Sequence, residues 1–229
     1  MRTLALLSLC ALSMLGSASA EEQAPPGPPT RLLAFVGHFE SIVELDGCTG
    51  EPRKDVVMPE GDTEIICIPM DGVFRATYKV AETLHGVPDA PTISFRVADH
   101  YGYPSFARYK HALLFVQQSE GGNYLEKYQG FQLSATADGS WAHCAALDDG
   151  PRTPELEALL EPIAFASGVT FGSEGELNGY ALQESFDPKY FSVRDGLVYC
   201  NKAISLHALY KHVTEGVLKA RGVAPPAER

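Results

Sequence analysis

Long apolar runs are absent from this sequence of 229 residues, apart from one near its start. The run Leu4–Leu15 follows the basic Arg2, and small residues occupy positions 18–20. A run of that length is too short to span a bilayer, whereas this order of basic, apolar and small residues is typical of a secretory signal peptide. The sequence therefore predicts a signal peptide over residues 1–20, cleaved after Ala20, and a periplasmic or secreted protein with no membrane insertion.

Basic residues are also few, with 18 Lys and Arg against 29 Asp and Glu and a formal net charge of -11. No basic stripe is present to neutralise phosphates, so we expect neither nucleic acid nor an anionic membrane as a partner. An acidic surface either steers a cationic partner or keeps a secreted protein soluble. Part of the acidity lies in a predicted loop, at Glu60, Asp62 and Glu64. If this charge serves recognition, the partner is a basic protein such as a cell-wall enzyme.

Cysteine is scarce, and only four of the five cysteines follow the predicted cleavage site. An even number in an oxidising compartment is typical of disulfides, and four cysteines allow three connectivities. We favour Cys48 with Cys67, which closes one loop, and Cys144 with Cys200, which ties a barrel to the segment after it. No pair has Cys-x-x-Cys spacing and the seven histidines are scattered, so we expect no metal site.

Catalytic and cofactor signatures are missing as well. The sequence has no Gly-x-Ser-x-Gly elbow, no phosphate loop and no dinucleotide fingerprint, and we expect no cofactor. One short stretch does bring together the residue types of nucleophilic catalysis, at Asp99, His100 and Ser105. A small secreted hydrolase that uses these three side chains is therefore the alternative to a non-catalytic function.

The sequence is rich in alternating segments. Val73–Val80 and Thr92–Val97 place apolar residues at every second position, which predicts half-buried strands. The unbroken apolar run Ala112–Val116 predicts a strand covered on both sides. Arg31–Leu45 predicts a long strand that bends near Gly37. Two hairpins are predicted around Asp-Gly turns, at Tyr124–Cys144 and at Lys189–Cys200.

These segments predict a mainly β (α+β) fold, an OB-like five-stranded barrel with a C-terminal helix and hairpin extension. The predicted ranges are a Pro-rich leader (residues 21–30), the barrel (31–147), the extension packed on it (148–222) and a disordered tail (223–229). Within the extension, Thr153 or Pro154 opens a short helix, and apolar residues at helical spacing predict a second helix over Asn201–Ala220.

The loop of residues 98–110, between the predicted strands Thr92–Val97 and Ala112–Val116, is the candidate binding site. It collects aromatic, acidic and basic side chains, and residues displayed on loops often bind partners. The candidate residues are Asp99, His100, Tyr101, Tyr103, Phe106 and Arg108. A structural interpretation also stays open, in which the rings cap the mouth of the barrel while Asp99 and His100 bond to the backbone.

Three stretches, Phe35–Ile42, Ala76–Gly86 and Leu113–Val116, resemble secreted domains of the netrin and tissue-metalloprotease-inhibitor kind. The resemblance implies a five-stranded OB-type barrel with a packed helix. Those inhibitors use an N-terminal Cys-x-Cys, whereas no cysteine lies between Glu21 and Cys48, so their inhibitory mechanism is not implied. The whole chain also resembles periplasmic proteins of Gram-negative bacteria that carry no assigned activity. We expect a periplasmic or secreted binding module with a protein partner, and the oligomeric state stays open.

Overall fold

The computed structural model describes residues 30–51, 70–144, 153–168, 188–194 and 197–223, and the fold of these residues is mainly β. The strands are β1 (Arg31–Leu45), β2 (Gly72–His85), β3 (Thr92–Asp99), β4 (His111–Ser119), β5 (Gly122–Ala135), β6 (Trp141–His143), β7 (Phe191–Arg194), β8 (Leu197–Cys200) and β9 (Ile204–Ser205). The helical elements are a 3-10 turn (Ser105–Arg108), α1 (Pro154–Ala158), α2 (Leu206–Val213) and a π-helical turn (Thr214–Leu218) that continues α2.

Seven of these strands form one sheet in the order β3-β2-β1-β4-β5-β6-β9, and all neighbours in that order are antiparallel. The sheet curls until β3 meets β5 in a parallel pairing at Arg96 and Tyr124. Strands β1 to β5 therefore partly close into a ring. The hairpin of β7 and β8 forms a separate sheet of two strands.

The predicted alternation decides which side chains fill the ring. Phe74, Ala76 and Tyr78 of β2 are buried there, together with the inward residues of β3, Ile93, Phe95 and Val97. Strand β4 is buried on both faces, as its unbroken apolar run predicts. Leu114 points into the ring, whereas Phe115 packs on the outside against Tyr210 of α2 at 6.0 Å between ring centroids. Among the described residues, one cluster of buried side chains thus lies inside the ring and another between the ring and α2, while a smaller cluster surrounds the hairpin of β7 and β8.

Gly37, where the sequence predicts a bend, lies at an irregularity in the pairing of β1 with β2. The register between β1 and β2 shifts between Val36 and Gly37, and it shifts again on either side of this point. A Cβ atom at Gly37 would lie 2.8 Å from the Tyr78 ring, so no larger residue fits there without displacing the core. These register shifts lie in or next to residues 34–38, the part of β1 that pairs with both β2 and β4.

Three boundaries differ from the sequence-based predictions. β2 continues to His85, beyond the predicted end at Val80, because its last residues pair with β1. The helix predicted from Asn201 begins only at Leu206, since Ile204 and the next residue pair with β6 as β9. Val223, at the start of the predicted tail, packs against the core beside α2.

The predicted disulfide between Cys144 and Cys200 is confirmed, with its Cα atoms 6.1 Å apart. It joins the end of β6 to β8 and is buried with Tyr190. Cys48 is disulfide-bonded too, and its predicted partner Cys67 lies outside the described residues. Other predicted features also lie outside the described residues: the predicted signal peptide, the predicted leader up to residue 29, the acidic residues Glu60, Asp62 and Glu64, and residues 224–229. No helix in the described part of the chain is long and apolar enough to cross a membrane.

Candidate functional site

One end of the ring collects side chains from three separate segments. Gly72, at the start of β2, pairs with Asp99, at the end of β3, so residues 70–71 and the β3–β4 connection leave the sheet together. Because β5 runs parallel to β3 from the Arg96–Tyr124 pair onward, its middle reaches the same end. This convergence is a consequence of ring closure.

Four exposed side chains form what we call the tyrosine patch, which consists of Met70, Tyr101, Tyr103 and Tyr128. They are four of the seven large apolar side chains that are exposed among the described residues, and Tyr101 is the most exposed of all at 87 %. The rings of Tyr101 and Tyr128 lie 6.1 Å apart, and Tyr103 meets Phe74 edge-on at 6.0 Å. Through Tyr103 the patch therefore borders the core of the ring.

A charged group lies beside the patch. His100 Nδ1 donates to Asp71 Oδ1 at 3.0 Å and lies 3.2 Å from the carbonyl oxygen of Met70, while Lys127 Nζ is 3.5 Å from Asp71 Oδ2. The hydrogen bond from His100, followed by the smaller effect of Lys127, holds the pKa of Asp71 below its ordinary value of 3.8 against an opposing effect of desolvation. These contacts tie residues 70–71 to the β3–β4 connection.

Phe106 does not lie on the surface, in contrast to the prediction. It is 4 % exposed and packs inside the ring, 6.1 Å from the ring of Tyr78, because the 3-10 turn folds it inward. Gly130 of β5 lies directly against it, where a Cβ atom would be 2.6 Å from Phe106 Cδ1. The buried Phe106 therefore anchors the connection that displays the tyrosines.

Tyr128 is displayed by a bulge in β5. Between Leu125 and Gly130 the register with β4 shifts, and Tyr128 has the φ angle of 62° that non-glycine residues seldom adopt. Bulges near binding sites re-aim side chains, and strained backbone persists where its surroundings enforce it. The bulge directs Tyr128 toward Tyr101.

The three residues of the hydrolase hypothesis do not form a hydrogen-bonded chain. Asp99 Oδ1 accepts from the backbone N–H of Tyr101 at 2.8 Å, and the carboxylate that bonds to His100 is Asp71. Ser105 is exposed at the start of the 3-10 turn, and within the described residues no hydrogen bond joins it to His100. Arg108, another predicted site residue, is exposed. The partial burial of the Tyr103 ring raises the pKa of Tyr103 above its ordinary value, and the charge of Arg108 lowers that pKa by less.

Sequence reasoning missed Met70, Asp71, Lys127 and Tyr128. Only Tyr128 had a local signal, as an aromatic residue in a predicted strand, and ring closure brings the others to the loop.

A shallow pocket lies along the seam of β3 and β5, lined by Asp46, Thr49, Arg96 and Tyr124 among others. Among the described residues, no group of three or more His, Cys, Asp or Glu side chains is placed to hold a metal ion.

Comparisons of the chain with protein-family models, with curated proteins and with solved structures found no match.

Proposed function

We propose that the chain is a secreted or periplasmic, non-catalytic binding module that holds a protein partner on the tyrosine patch. The observation that carries this proposal is the 87 % exposure of Tyr101 beside three other exposed apolar side chains at one end of the ring. Tyrosine is enriched at protein interfaces because it offers a large apolar ring together with a polar tip. Exposed apolar groups that the fold does not need are the expected mark of an interaction site.

The frame beneath the patch supports this proposal. Phe106 is buried and fitted against Gly130, and Asp71 bonds to His100 across the two segments. The tyrosines are therefore held in place before a partner arrives. Binding to such a surface loses less conformational entropy than binding to an unanchored loop, and the affinity is higher for that reason.

The net charge favours a basic partner, such as a cell-wall enzyme. A formal charge of -11 attracts cationic proteins over a distance set by the ionic strength. The Debye length falls from about 10 Å at 0.1 M salt to about 3 Å at 1 M, so association with a basic partner slows as salt rises. Charge reversal of Glu60, Asp62 and Glu64 to Lys then slows association more than it speeds dissociation.

We also propose that the ring is an OB-type barrel, as in netrin-like and inhibitor-like secreted domains. The order around the ring, β1-β2-β3-β5-β4 and back to β1, and the parallel contact of β3 with β5 support this assignment. The bond from Asn123 Nδ2 to the carbonyl oxygen of Ser94, at 3.2 Å, adds to the contact between these two strands. Nuclear Overhauser contacts along β3 and β5 beyond the Arg96–Tyr124 pair would test the closure.

The test of the binding function uses a photo-crosslinker at position 101, with extract from the periplasm or secreted fraction as the source of partners. We expect one crosslinked partner, whose capture falls at least tenfold when Tyr128 is changed to Ala, an effect typical of an interface hot spot. Tyr124→Ala is the matched control, because Tyr124 is 41 % exposed and Tyr128 is 43 % exposed, while Tyr124 lies outside the patch. Equal loss of capture in Tyr128→Ala and Tyr124→Ala would contradict binding at the tyrosine patch. An acidic partner that is captured equally well at about 0.1 M and about 1 M salt would contradict the proposal of a basic partner.

The alternative function, a small secreted hydrolase, has one observation in its favour. Asp71 orients His100 through Nδ1 and leaves Nε2 available to act as a base. The candidate nucleophile stays Ser105, with Asp99 bound to the Tyr101 backbone. Turnover of chromogenic esters that is lost in both His100→Ala and Ser105→Ala would establish this alternative.

A further inference from the structure

A second group of aromatic and imidazole side chains lies on the outer face of the ring, on β1, β4 and β6. His38 and His111 are partners in the register of β1 with β4. His38 Nδ1 and His111 Nε2 are 3.1 Å apart, and both side chains are half-buried. Trp141 lies against the His111 ring at 4.5 Å between centroids. This group takes no part in the tyrosine patch.

The separation of the two nitrogens matches that of two ligands on one metal ion. Bonds from zinc to imidazole nitrogen are about 2.0–2.1 Å long, so two ligands at angles of about 90–110° lie roughly 2.9–3.4 Å apart. The observed 3.1 Å falls within that interval. A small rotation of the rings would point one lone pair of each at a single ion, and the proton held between the two nitrogens would move to the other nitrogen of its own ring.

We propose that His38 and His111 bind a divalent transition-metal ion of the class that prefers imidazole, which comprises copper, nickel and zinc. The strands that carry the two ligands are joined beside them, since the N–H of Phe39 donates to the carbonyl oxygen of Lys110 at 2.9 Å. The packing of Trp141 restricts the His111 ring. Both restraints hold the nitrogens at their separation before the ion arrives.

Within the described part of the chain the proposed site has two protein ligands, since no group of three or more His, Cys, Asp or Glu side chains is placed there to hold an ion. The proposal assigns the remaining coordination positions to water. The affinity is accordingly lower than that of the closed four-ligand sites that stabilise folds. The site binds an ion reversibly on an already folded ring.

The experiment uses Trp141, the single tryptophan of the chain, as the reporter. Copper(II) chloride is titrated into the purified protein, and we expect saturable quenching of the tryptophan fluorescence with one ion per chain. His38→Gln and His111→Gln each raise the apparent Kd at least tenfold. His207→Gln is the matched control, because His207 is exposed on α2, and it leaves the Kd unchanged. An unchanged Kd in either strand variant, or an equal change in the control, overturns the proposal.

A measurement on the unaltered protein keeps the test valid if a strand variant fails to fold. In a zinc titration followed by NMR, the imidazole signals of His38 and His111 should shift first among the seven histidines of the chain. Earlier shifts at His207 and His212 would assign the ion to α2 and overturn the proposal.

Discussion

The two ends of the ring differ in their surfaces: one is held by polar contacts and the other exposes apolar side chains. At the end opposite the tyrosine patch, which we call the turn end, Asp89 accepts from Arg31 at 3.0 Å and from Gln118 at 2.9 Å. The link after β2 also bonds to the sheet, since the N–H of Val80 donates to the carbonyl oxygen of Pro91 at 2.8 Å. At the other end, Tyr101 is 87 % exposed and Met70 is 81 % exposed. Polar contacts thus tie the turn end to the sheet, whereas the patch end exposes two large apolar side chains to solvent.

The largest expected effect concerns the anchor of the patch end. Phe106→Ala removes a ring that is 4 % exposed and leaves a cavity, so we expect a loss of about 3–5 kcal/mol in the free energy of unfolding. Val87→Ala, at the turn end where Val87 is 73 % exposed, should change it by less than about 0.5 kcal/mol. Urea unfolding measures both, and equal effects would show that Phe106 is not part of the core.

A second pair of variants compares a glycine at each end. Gly86 and Gly102 have φ angles of 80° and 101°. A Cβ atom added at Gly86 would lie 2.5 Å from the Leu32 carbonyl oxygen, whereas a Cβ atom added at Gly102 would have no described atom within 4 Å. Gly102→Ala should lower stability by about 1–2 kcal/mol through its backbone conformation alone. Gly86→Ala adds a clash with the backbone and should cost about 3 kcal/mol. A larger loss of thermal stability in Gly102→Ala than in Gly86→Ala would contradict the close backbone contact at Gly86.

A smaller effect separates a tyrosine inside the ring from one on the patch. Tyr78 is fully buried, and its hydroxyl has no hydrogen-bond partner among the described residues, while burial raises its pKa far above the ordinary value. Tyr78→Phe removes an unsatisfied polar group and should raise the free energy of unfolding by about 1 kcal/mol. Tyr101→Phe, the same change on the patch, should leave it unchanged. A destabilised Tyr78→Phe variant would indicate that the hydroxyl is hydrogen-bonded in solution.

The smallest effect is a change in the titration of one carboxylate. The bond from His100 lowers the pKa of Asp71, so the ionised form is favoured above that lowered value and the interaction is lost as pH falls through it. His100→Ala should raise the pKa of Asp71 toward 3.8. Carbon-detected NMR titration measures this shift. Asp138 is the internal control, since its pKa is lowered chiefly by the hydrogen bond from Thr136, and its pKa should be unchanged in His100→Ala.

Local patterns predicted most of the strands. Alternation marks a half-buried strand wherever it lies, so β2 and β3 were recognised from residues 73–80 and 92–97, and the Asp-Gly turns marked both hairpins. Thr153 at the start of α1 is a similar local signal, and its hydroxyl accepts from the N–H of Leu156 at 3.3 Å. The last residues of β2, up to His85, had no such signal in the sequence. They are part of the strand because they pair with β1.

The sequence by itself determined the β-rich class, the loop that displays Tyr101 and Tyr103, and a disulfide between Cys144 and Cys200 as one of its options. These follow from side-chain periodicity, from turn chemistry and from the number of cysteines, which are properties of short segments or of composition. Only the tertiary structure decided that Phe106 turns inward, that Asp71 bonds to His100, and that Tyr128 joins the patch.

The pair of His38 and His111 is the clearest case of this limit. The two residues are 73 positions apart, and nothing near either one indicates the other. They meet because β1 and β4 pair in one register, and a shift of that register by one residue would turn one ring to the opposite face. Register depends on the burial of whole strands inside the ring, and for that reason it was settled by the folded chain and not by any motif.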